Sequence, residues 1–320
     1  MVAAAALRVV FFGTPEFAVP TLDALLASRH PVVGVVTQPD RPRGRGQKTS
    51  DAPVKARALA AGVPVLQPER LKDLGILDAL AALGADLGVV AAYGKILTDA
   101  VLATPRLGMI NVHASLLPRY RGAAPVHRAI IAGEVGTGVT IMRVVKALDA
   151  GPMLATAPRP IGPDETSDAV ERDLACLGAP LLVSCVDCLA SGSITEIPQD
   201  EASATYAHRL KKEDGIIDWS RPAAAVHNLV RGLYPWPHAF TFLRGSRLII
   251  RRTAVLEVSD VSDTFAGTVL AANGDDLVVA TGTGAVCVRE IQAEGKRPMT
   301  AREFLAGHRL VAGDRFTATP

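Results

Sequence analysis

The sequence predicts an α/β protein: a Rossmann-like, doubly wound, mostly parallel sheet, followed by a small OB-like β-barrel. Three observations carry that expectation. Short Val- and Ile-rich runs alternate with helical segments through the first half. A Ser-, Gly- and Pro-broken stretch just after residue 190 interrupts the alternation. Beyond it lie five short strand-like runs parted by turn signals.

In the first half, strands are expected at 7–12, 32–36, 86–92, 109–112 and 139–144. Most are apolar on both faces, as strands covered by helices on both sides must be. Helices at 16–27, 53–61, 76–83 and 126–132 fill the intervals. A longer helix, 164–189, opens on Asp164-Glu165-Thr166-Ser167, acidic and hydroxyl groups that suit the unpaired N–H groups and positive dipole at a helix start. Residues 191–204 have weak periodicity and turn-forming composition. The expected division is therefore a catalytic domain at 1–190, a linker at 191–206 and a C-terminal domain at 207–320. In that last part Ala223–Arg231 reads as a helix and Tyr234-Pro235-Trp236-Pro237 as a rigid turn. Strands are expected at 240–243, 247–253, 267–271, 277–280 and 285–291, separated by signals such as Asn273-Gly274 and Gly282-Thr283-Gly284.

Bulk composition excludes several classes. With 320 residues, 49% apolar and 21% charged, the chain is too apolar for disorder and long enough for two cores. A net charge of +2 makes it no polycation, so nucleic-acid contact has to come from local basic patches. No uninterrupted apolar run approaches the ~18–20 residues of a membrane span, and no membrane partner is expected. Arg8 follows the Ala-rich start and precedes the apolar run Val9–Phe12, which enters a Gly-Thr-Pro turn. That order does not suit a signal peptide, and the expected location is the cytoplasm. The four cysteines, Cys176, Cys185, Cys188 and Cys287, do not form a disulfide framework. Cys185 and Cys188 make a C-x-x-C on an apolar helix face with no second pair nearby, which reads as packing; no metal is expected.

The stretch Asn111-Val112-His113-Ala114-Ser115-Leu116-Leu117-Pro118-Arg119-Tyr120-Arg121-Gly122-Ala123-Ala124-Pro125 is the most informative. Asn111 and His113 are two apart at a strand end, so their side chains share a face. Ligands of open α/β sheets bind at the carboxyl ends of the strands. Asp149, in Ala147-Leu148-Asp149-Ala150-Gly151-Pro152, follows the strand 139–144. It is placed in a tight loop at that strand's carboxyl end, where it pairs with His113 if the strands are close; its other reading is a turn or cap aspartate. Amide, imidazole and carboxylate together suit acyl transfer to an amine. Asn111 and protonated His113 donate to the oxyanion, and Asp149 supports His113 and helps move the proton.

Between residues 38 and 48 a loop carries Arg41, Arg43, Arg45 and Lys48 among Gly and Pro residues. It reads either as a solvated surface loop or as a phosphate contact. In the C-terminal part Arg209, Lys211, Lys212, Arg244, Arg247, Arg251 and Arg252 form a basic track that Glu213, Asp214 and Asp218 dilute. Phe240 and Trp236 are candidates for base stacking, with core packing as the alternative.

Residues 111–125 resemble the signature of the folate-dependent formyltransferases, in the form that acts on charged tRNA. Agreement extends to Phe12–Phe17, Thr37–Pro42, Ala92–Leu97 and Tyr234–Pro237, nearly the whole length of the chain. The resemblance implies 10-formyltetrahydrofolate as donor, methionyl-initiator tRNA as acceptor and partner, and a monomer. It implies Asn111, His113 and Asp149 as catalytic residues. The folate pocket it implies is built from Ser115, Leu116, Leu117 and Pro118, from Tyr93, Gly94, Lys95 and Leu97, and from the segment before Asp149. For tRNA it implies Arg45, supported by Arg43 and Lys48, on an insertion that reaches into the acceptor arm. One departure stands out. The family usually has glycine where this chain has Ala147, and since only glycine takes positive φ freely, a slightly altered loop shape is expected.

Rival classes fit less well. A nicotinamide enzyme lacks its Gly-x-Gly-x-x-Gly turn after the first strand. Ser115 is outside a Gly-x-Ser-x-Gly elbow, which counts against a serine hydrolase. A pure RNA-binding module needs no Asn111–His113–Asp149 site. Within the superfamily the alternatives are another folate-dependent N-formyltransferase, acting on glycinamide ribonucleotide or a sugar nucleotide, and a formyltetrahydrofolate hydrolase. The basic loop together with the barrel favours tRNA.

Overall fold

The computed structural model describes residues 5–40, 42–43, 48–49, 51–256 and 264–320, with the backbone alone for 42–43 and 48–49. The chain forms two compact units. The first comprises residues 1–125, 137–159 and 171–207, and the second residues 126–136, 160–170 and 208–320.

The first unit is built on a seven-stranded sheet. Along the chain its elements are β1 (Val9–Gly13), α1 (Val19–Leu26), β2 (Val32–Val36), the hairpin β3 (Pro42–Arg43) and β4 (Lys48–Thr49), α2 (Pro53–Ala60) and β5 (Val65–Leu66). Then follow α3 (Leu74–Ala82), β6 (Leu87–Ala91), α4 (Asp99–Leu102), β7 (Met109–His113) and β8 (Arg121–Gly122). β9 (Gly136–Arg143), β10 (Met153–Pro160), α6 (Ser167–Ser191) and β11 (Tyr206–Ala207) complete it, while α5 (Pro125–Ile131) and the first residues of α6 belong to the second unit. The sheet order is β10-β9-β7-β6-β1-β2-β5. From β5 to β7 every pairing is parallel. All five residues of β1 and of β6 are buried, as expected for strands covered on both faces.

Two strands at the other edge depart from the sequence expectation. β9 pairs antiparallel with β7, with Ile110 opposite Arg143 and His113 opposite Thr140. The carboxyl end of β9 therefore lies beside the start of β7, not beside its active end. β10 was not expected at all: its prolines, Pro158 and Pro160, argue against a strand, and an edge position with alternating exposure tolerates them.

Length and composition would let α6 cross a membrane. Buried residues of this helix such as Val170, Leu174, Ala175, Ala179, Leu182, Cys185 and Val186 recur at helical spacing and form one face. Gly178 lets that helix approach the sheet, since a Cβ there would lie 2.9 Å from Val112 and 3.1 Å from Val139.

The second unit carries α7 (Ala223–Gly232), β12 (Ala239–Leu243), β13 (Ser246–Leu256), β14 (Val269–Asn273), β15 (Asp276–Ala280), β16 (Ala285–Ala293), β17 (Met299–Thr300) and α8 (Ala301–Gly307). Its strands run in the order β12-β13-β16-β15-β14, antiparallel throughout. Both edges of this path are closed by the tail: Phe242 of β12 exchanges two hydrogen bonds with Thr317, and Val269 of β14 donates to the Asp314 carbonyl. Closure of this kind gives a barrel-like sheet with few free edge groups. Trp219 stacks on Phe316 inside it and donates from Nε1 to Thr241 Oγ1. Phe240 is buried, whereas Trp236 is half exposed.

Candidate active site

The carboxyl ends of β1, β2, β6 and β7 lie side by side: Gly13 opposes Ala91, Phe12 opposes Val36, and Ala91 opposes Val112. Asn111 and His113 stand on one face of β7, and Val112 between them points the other way, toward Gly178. Asn111 is half-buried, and among the described residues its carboxamide has no hydrogen-bond partner.

His113 is only 5% exposed. Its Nε2 lies 3.0 Å from the carbonyl of Tyr120. A carbonyl can only accept, so the proton sits on Nε2. Nδ1 then faces Asp149 Oδ2 at 3.6 Å, inside ion-pair range and outside hydrogen-bonding range. The neutral ring thus holds a lone pair at Nδ1, and a proton taken up there meets a carboxylate already in place. Because β9 runs antiparallel, Asp149 does not reach His113 from a strand end; loop 144–152 brings it there. The same Oδ2 accepts the N–H of Gly122 at 2.8 Å.

Asp149 has φ of +46°, a left-handed conformation that Asp tolerates better than most side chains. Ala147, by contrast, is not among the residues with positive φ. The expected change of loop shape at Ala147 therefore has no basis in backbone strain. Gly122 is required for a different reason: its φ is +122°, and a Cβ would lie 2.8 Å from the Ala207 carbonyl.

The segment that follows β7 is tied down internally. Ser115 is buried and donates from Oγ to the Arg119 carbonyl at 2.6 Å. Thr140 Oγ1 donates to the Ser115 carbonyl and accepts the Leu117 N–H. Leu117 is buried, Leu116 packs over Gly138, and the Pro118 carbonyl accepts from Thr205 N–H.

On the other side, Tyr93 is buried edge-on against Phe12, with ring centroids 5.6 Å apart. Burial pushes its hydroxyl up to about 12, so it remains a neutral phenol. Its carbonyl is held by Gln38 Nε2 at 2.8 Å and Thr14 Oγ1 at 3.3 Å. Gly94 is exposed, with φ of +79°. Lys95 Nζ donates to the carbonyls of Pro68 and Glu69, and Leu97 packs partly against the core around Tyr93. Sequence reasoning gave no role to Thr14, Gln38 or Thr140, although the first two sit just beyond strand carboxyl ends.

Of the basic loop, Arg43 and Lys48 pair through the backbone of β3 and β4, and Arg45 lies outside the described residues. Cys185 is buried within α6 and Cys188 is half-buried beside it.

Residues 7–186 match the protein family described as formyl transferase, and residues 209–309 match the formyl transferase C-terminal domain. The chain is 46% identical over 308 residues to the methionyl-tRNA formyltransferase of Moorella thermoacetica, covering 96% of this chain and 98% of that one. It is 48% identical to the enzyme of the same name from Roseiflexus castenholzii, covering 97% and 98%. Among solved structures it is similar to HypX from Aquifex aeolicus in complex with tetrahydrofolic acid. There the TM-score is 0.65 and the identity 16%, over 94% of this chain and 47% of that one.

Proposed function

The chain belongs to the formyl transferase family, and on that premise we propose that it moves the formyl group of 10-formyltetrahydrofolate to the free amine of methionyl-initiator tRNA. The product is N-formylmethionyl-tRNA for translation initiation. Relatives of that activity match over nearly the full length of both chains. The observation that carries the chemistry is the Asn111–His113–Asp149 cluster, a carboxamide with no partner among the described residues beside an imidazole whose Nδ1 faces a carboxylate.

The reaction forms one C–N bond and breaks another. The amine nitrogen attacks the formyl carbon, the carbonyl electron pair moves to oxygen, and collapse of the tetrahedral species expels the folate nitrogen. A proton must leave the new ammonium and reach that folate nitrogen. With Nε2 of His113 engaged by Tyr120, Nδ1 is the site that takes and returns the proton, and Asp149 stabilises the imidazolium meanwhile. The oxyanion then falls chiefly to the Asn111 amide.

The folate is expected against residues 93–97 and 115–118, whose backbones are fixed from behind by Gln38, Thr14 and Thr140. Residues 1–190 are read as the catalytic domain, 191–206 as the linker and 207–320 as the tRNA-binding domain, with Arg43, Arg45 and Lys48 at the acceptor arm. The enzyme is read as a cytoplasmic monomer that needs no metal or membrane.

The test is formyl transfer from 10-formyltetrahydrofolate with methionyl-initiator tRNA, methionyl-elongator tRNA or no acceptor. Formylation of the initiator alone is expected. Folate turnover without tRNA would instead mark a hydrolase, and turnover only with another amine would overturn the acceptor.

A further inference from the structure

Arg121 is a charge without a part in the chemistry above. Its side chain is 2% exposed, among the largest fully buried side chains described. Removing a guanidinium from water costs several kcal/mol unless its donors are met. One short segment meets them. Nε and Nη2 donate to Gln199 Oε1 at 3.0 and 2.8 Å, and Nη1 and Nη2 donate to the two Glu201 oxygens at 2.9 and 2.7 Å. Both acceptors lie between the two family matches, which end at 186 and resume at 209.

Gln199 is fully committed. Its oxygen takes two bonds from Arg121, and its amide nitrogen donates to the carbonyls of Asp149 and Gly151, each at 2.8 Å. The same segment holds the strand that carries the other partners of the His113–Asp149 pair. Thr205 Oγ1 accepts from Tyr120 N–H, the Thr205 carbonyl from Arg121 N–H, and the Ala207 carbonyl from Ala123 N–H. Tyr120 supplies the carbonyl on His113, and Gly122 supplies the N–H on Asp149.

The choice of side chain is informative. If position 199 served only to neutralise Arg121, a glutamate would serve it better, through a charge-assisted bond. An amide is needed to accept from a guanidinium on one side and donate to two carbonyls on the other.

We infer that Gln199, clamped by Arg121, is a positioning residue for formyl transfer: it fixes the left-handed loop that holds Asp149 against His113. This inference rests on the assignment of that pair to catalysis. The region between the domains is then a working part of the active site.

Two variants separate positioning from mere support. Gln199→Glu keeps a partner for Arg121 and loses both donors to the loop. Gln199→Leu loses the partner as well. For Gln199→Glu, kcat with methionyl-tRNA is expected to fall by roughly a hundredfold, as for a small misplacement near a reacting centre. Both KM values should stay near wild type, since the loss lies in the transition state and not in binding, while the unfolding midpoint should fall somewhat, because the new carboxylate oxygen faces the two carbonyls that Gln199 satisfied. Gln199→Leu should lose kcat and also melt earlier. Wild-type kcat in Gln199→Glu would overturn the inference and leave Gln199 as a partner for Arg121 only. Amide hydrogen exchange over residues 147–152 gives a readout independent of the acceptor. It should quicken in Gln199→Glu, and unchanged exchange would equally overturn the clamp. A wild-type enzyme that fails to formylate methionyl-tRNA would sink the functional reading, with the exchange result still deciding the clamp.

Discussion

His113 and His227 are buried to nearly the same degree, 5% and 7% exposed, yet their surroundings differ in one respect. His227, in the second unit, is engaged at both ring nitrogens: Thr253 Oγ1 lies 3.0 Å from Nδ1 and the Pro163 carbonyl 3.0 Å from Nε2, with Asp164 Oδ1 3.4 Å from the same Nε2. Among the described residues His113, in the first unit, is hydrogen-bonded only at Nε2, and its Nδ1 looks across 3.6 Å at a carboxylate. A histidine with both nitrogens spent holds structure together. One with a nitrogen in reserve beside a charge can take a proton and give it back. Burial alone does not distinguish the two; the unspent nitrogen does.

Exchanging each for alanine should separate activity from stability. His113→Ala is expected to lower kcat of the folded enzyme by about a thousandfold, within the range for a lost acid–base group, and to cost less stability than His227→Ala, because one ring hydrogen bond is lost there and not two. Asp149→Ala should follow it closely. His227→Ala should leave the kcat of the folded enzyme intact and cost about 2–4 kcal/mol in urea unfolding, from lost hydrogen bonds and an unfilled cavity. If His227→Ala abolished turnover in a folded protein, or His113→Ala left it near normal, the comparison would fail. Arg45→Ala should act on neither term, raising the KM for tRNA with little change in kcat; an unchanged KM would remove the basic loop from recognition.

How much of this was legible follows from reach along the chain. Asn111 and His113 are two residues apart in a strand, and period-two geometry puts them on one face without any further information. The apolar runs of β1, β2, β6 and β7 announced a sheet covered on both sides in the same way. What escaped depends on contacts between distant positions. Nothing in residues 139–144 says that β9 runs against β7, so the sequence shows the loop that carries Asp149 but not the path by which it comes to His113. β10 was hidden by its two prolines, which an edge strand accommodates. Gln199 makes hydrogen bonds to residues 48, 50 and 78 positions away. A polar side chain in an aperiodic stretch carries no local sign of such partners, and the segment read simply as a break between domains.

A smaller effect concerns histidines of the second unit that burial keeps neutral. His127 and His238 are both lowered from 6.5 to about 4, first by burial and then by the charges of Arg128 and Arg251. Arg251 also donates to His238 Nε2 at 3.1 Å, a bond that only the neutral ring accepts. The unfolded chain binds these protons near pH 6.5 and the folded chain does not. Their contribution is therefore fully present above pH 6.5 and is lost as pH falls toward 4. At pH 5.5 the loss should be about 1 kcal/mol for each. Urea midpoints between pH 7 and 5 should fall, and His238→Asn, which tolerates the left-handed φ of +67°, should flatten part of that slope. A flat wild-type profile would place both rings in water.

The smallest expected effect tests the site loop itself. The resemblance leads to the expectation of glycine at position 147, and were positive φ required there, alanine would strain the loop beside Asp149. The left-handed residue is Asp149 instead, and its conformation is secured from outside, by Gly122 on its carboxylate and Gln199 on its carbonyl. Ala147→Gly should then relieve nothing. It adds freedom to the unfolded loop, a cost of about 0.5–1 kcal/mol at most, and kcat should change by no more than about twofold because the clamp still sets the loop. A severalfold rise in kcat would mean that alanine holds the loop away from its best position. In that case His113 and His227 would differ less than their geometry suggests, with His113 awaiting a partner that the loop does not fully deliver.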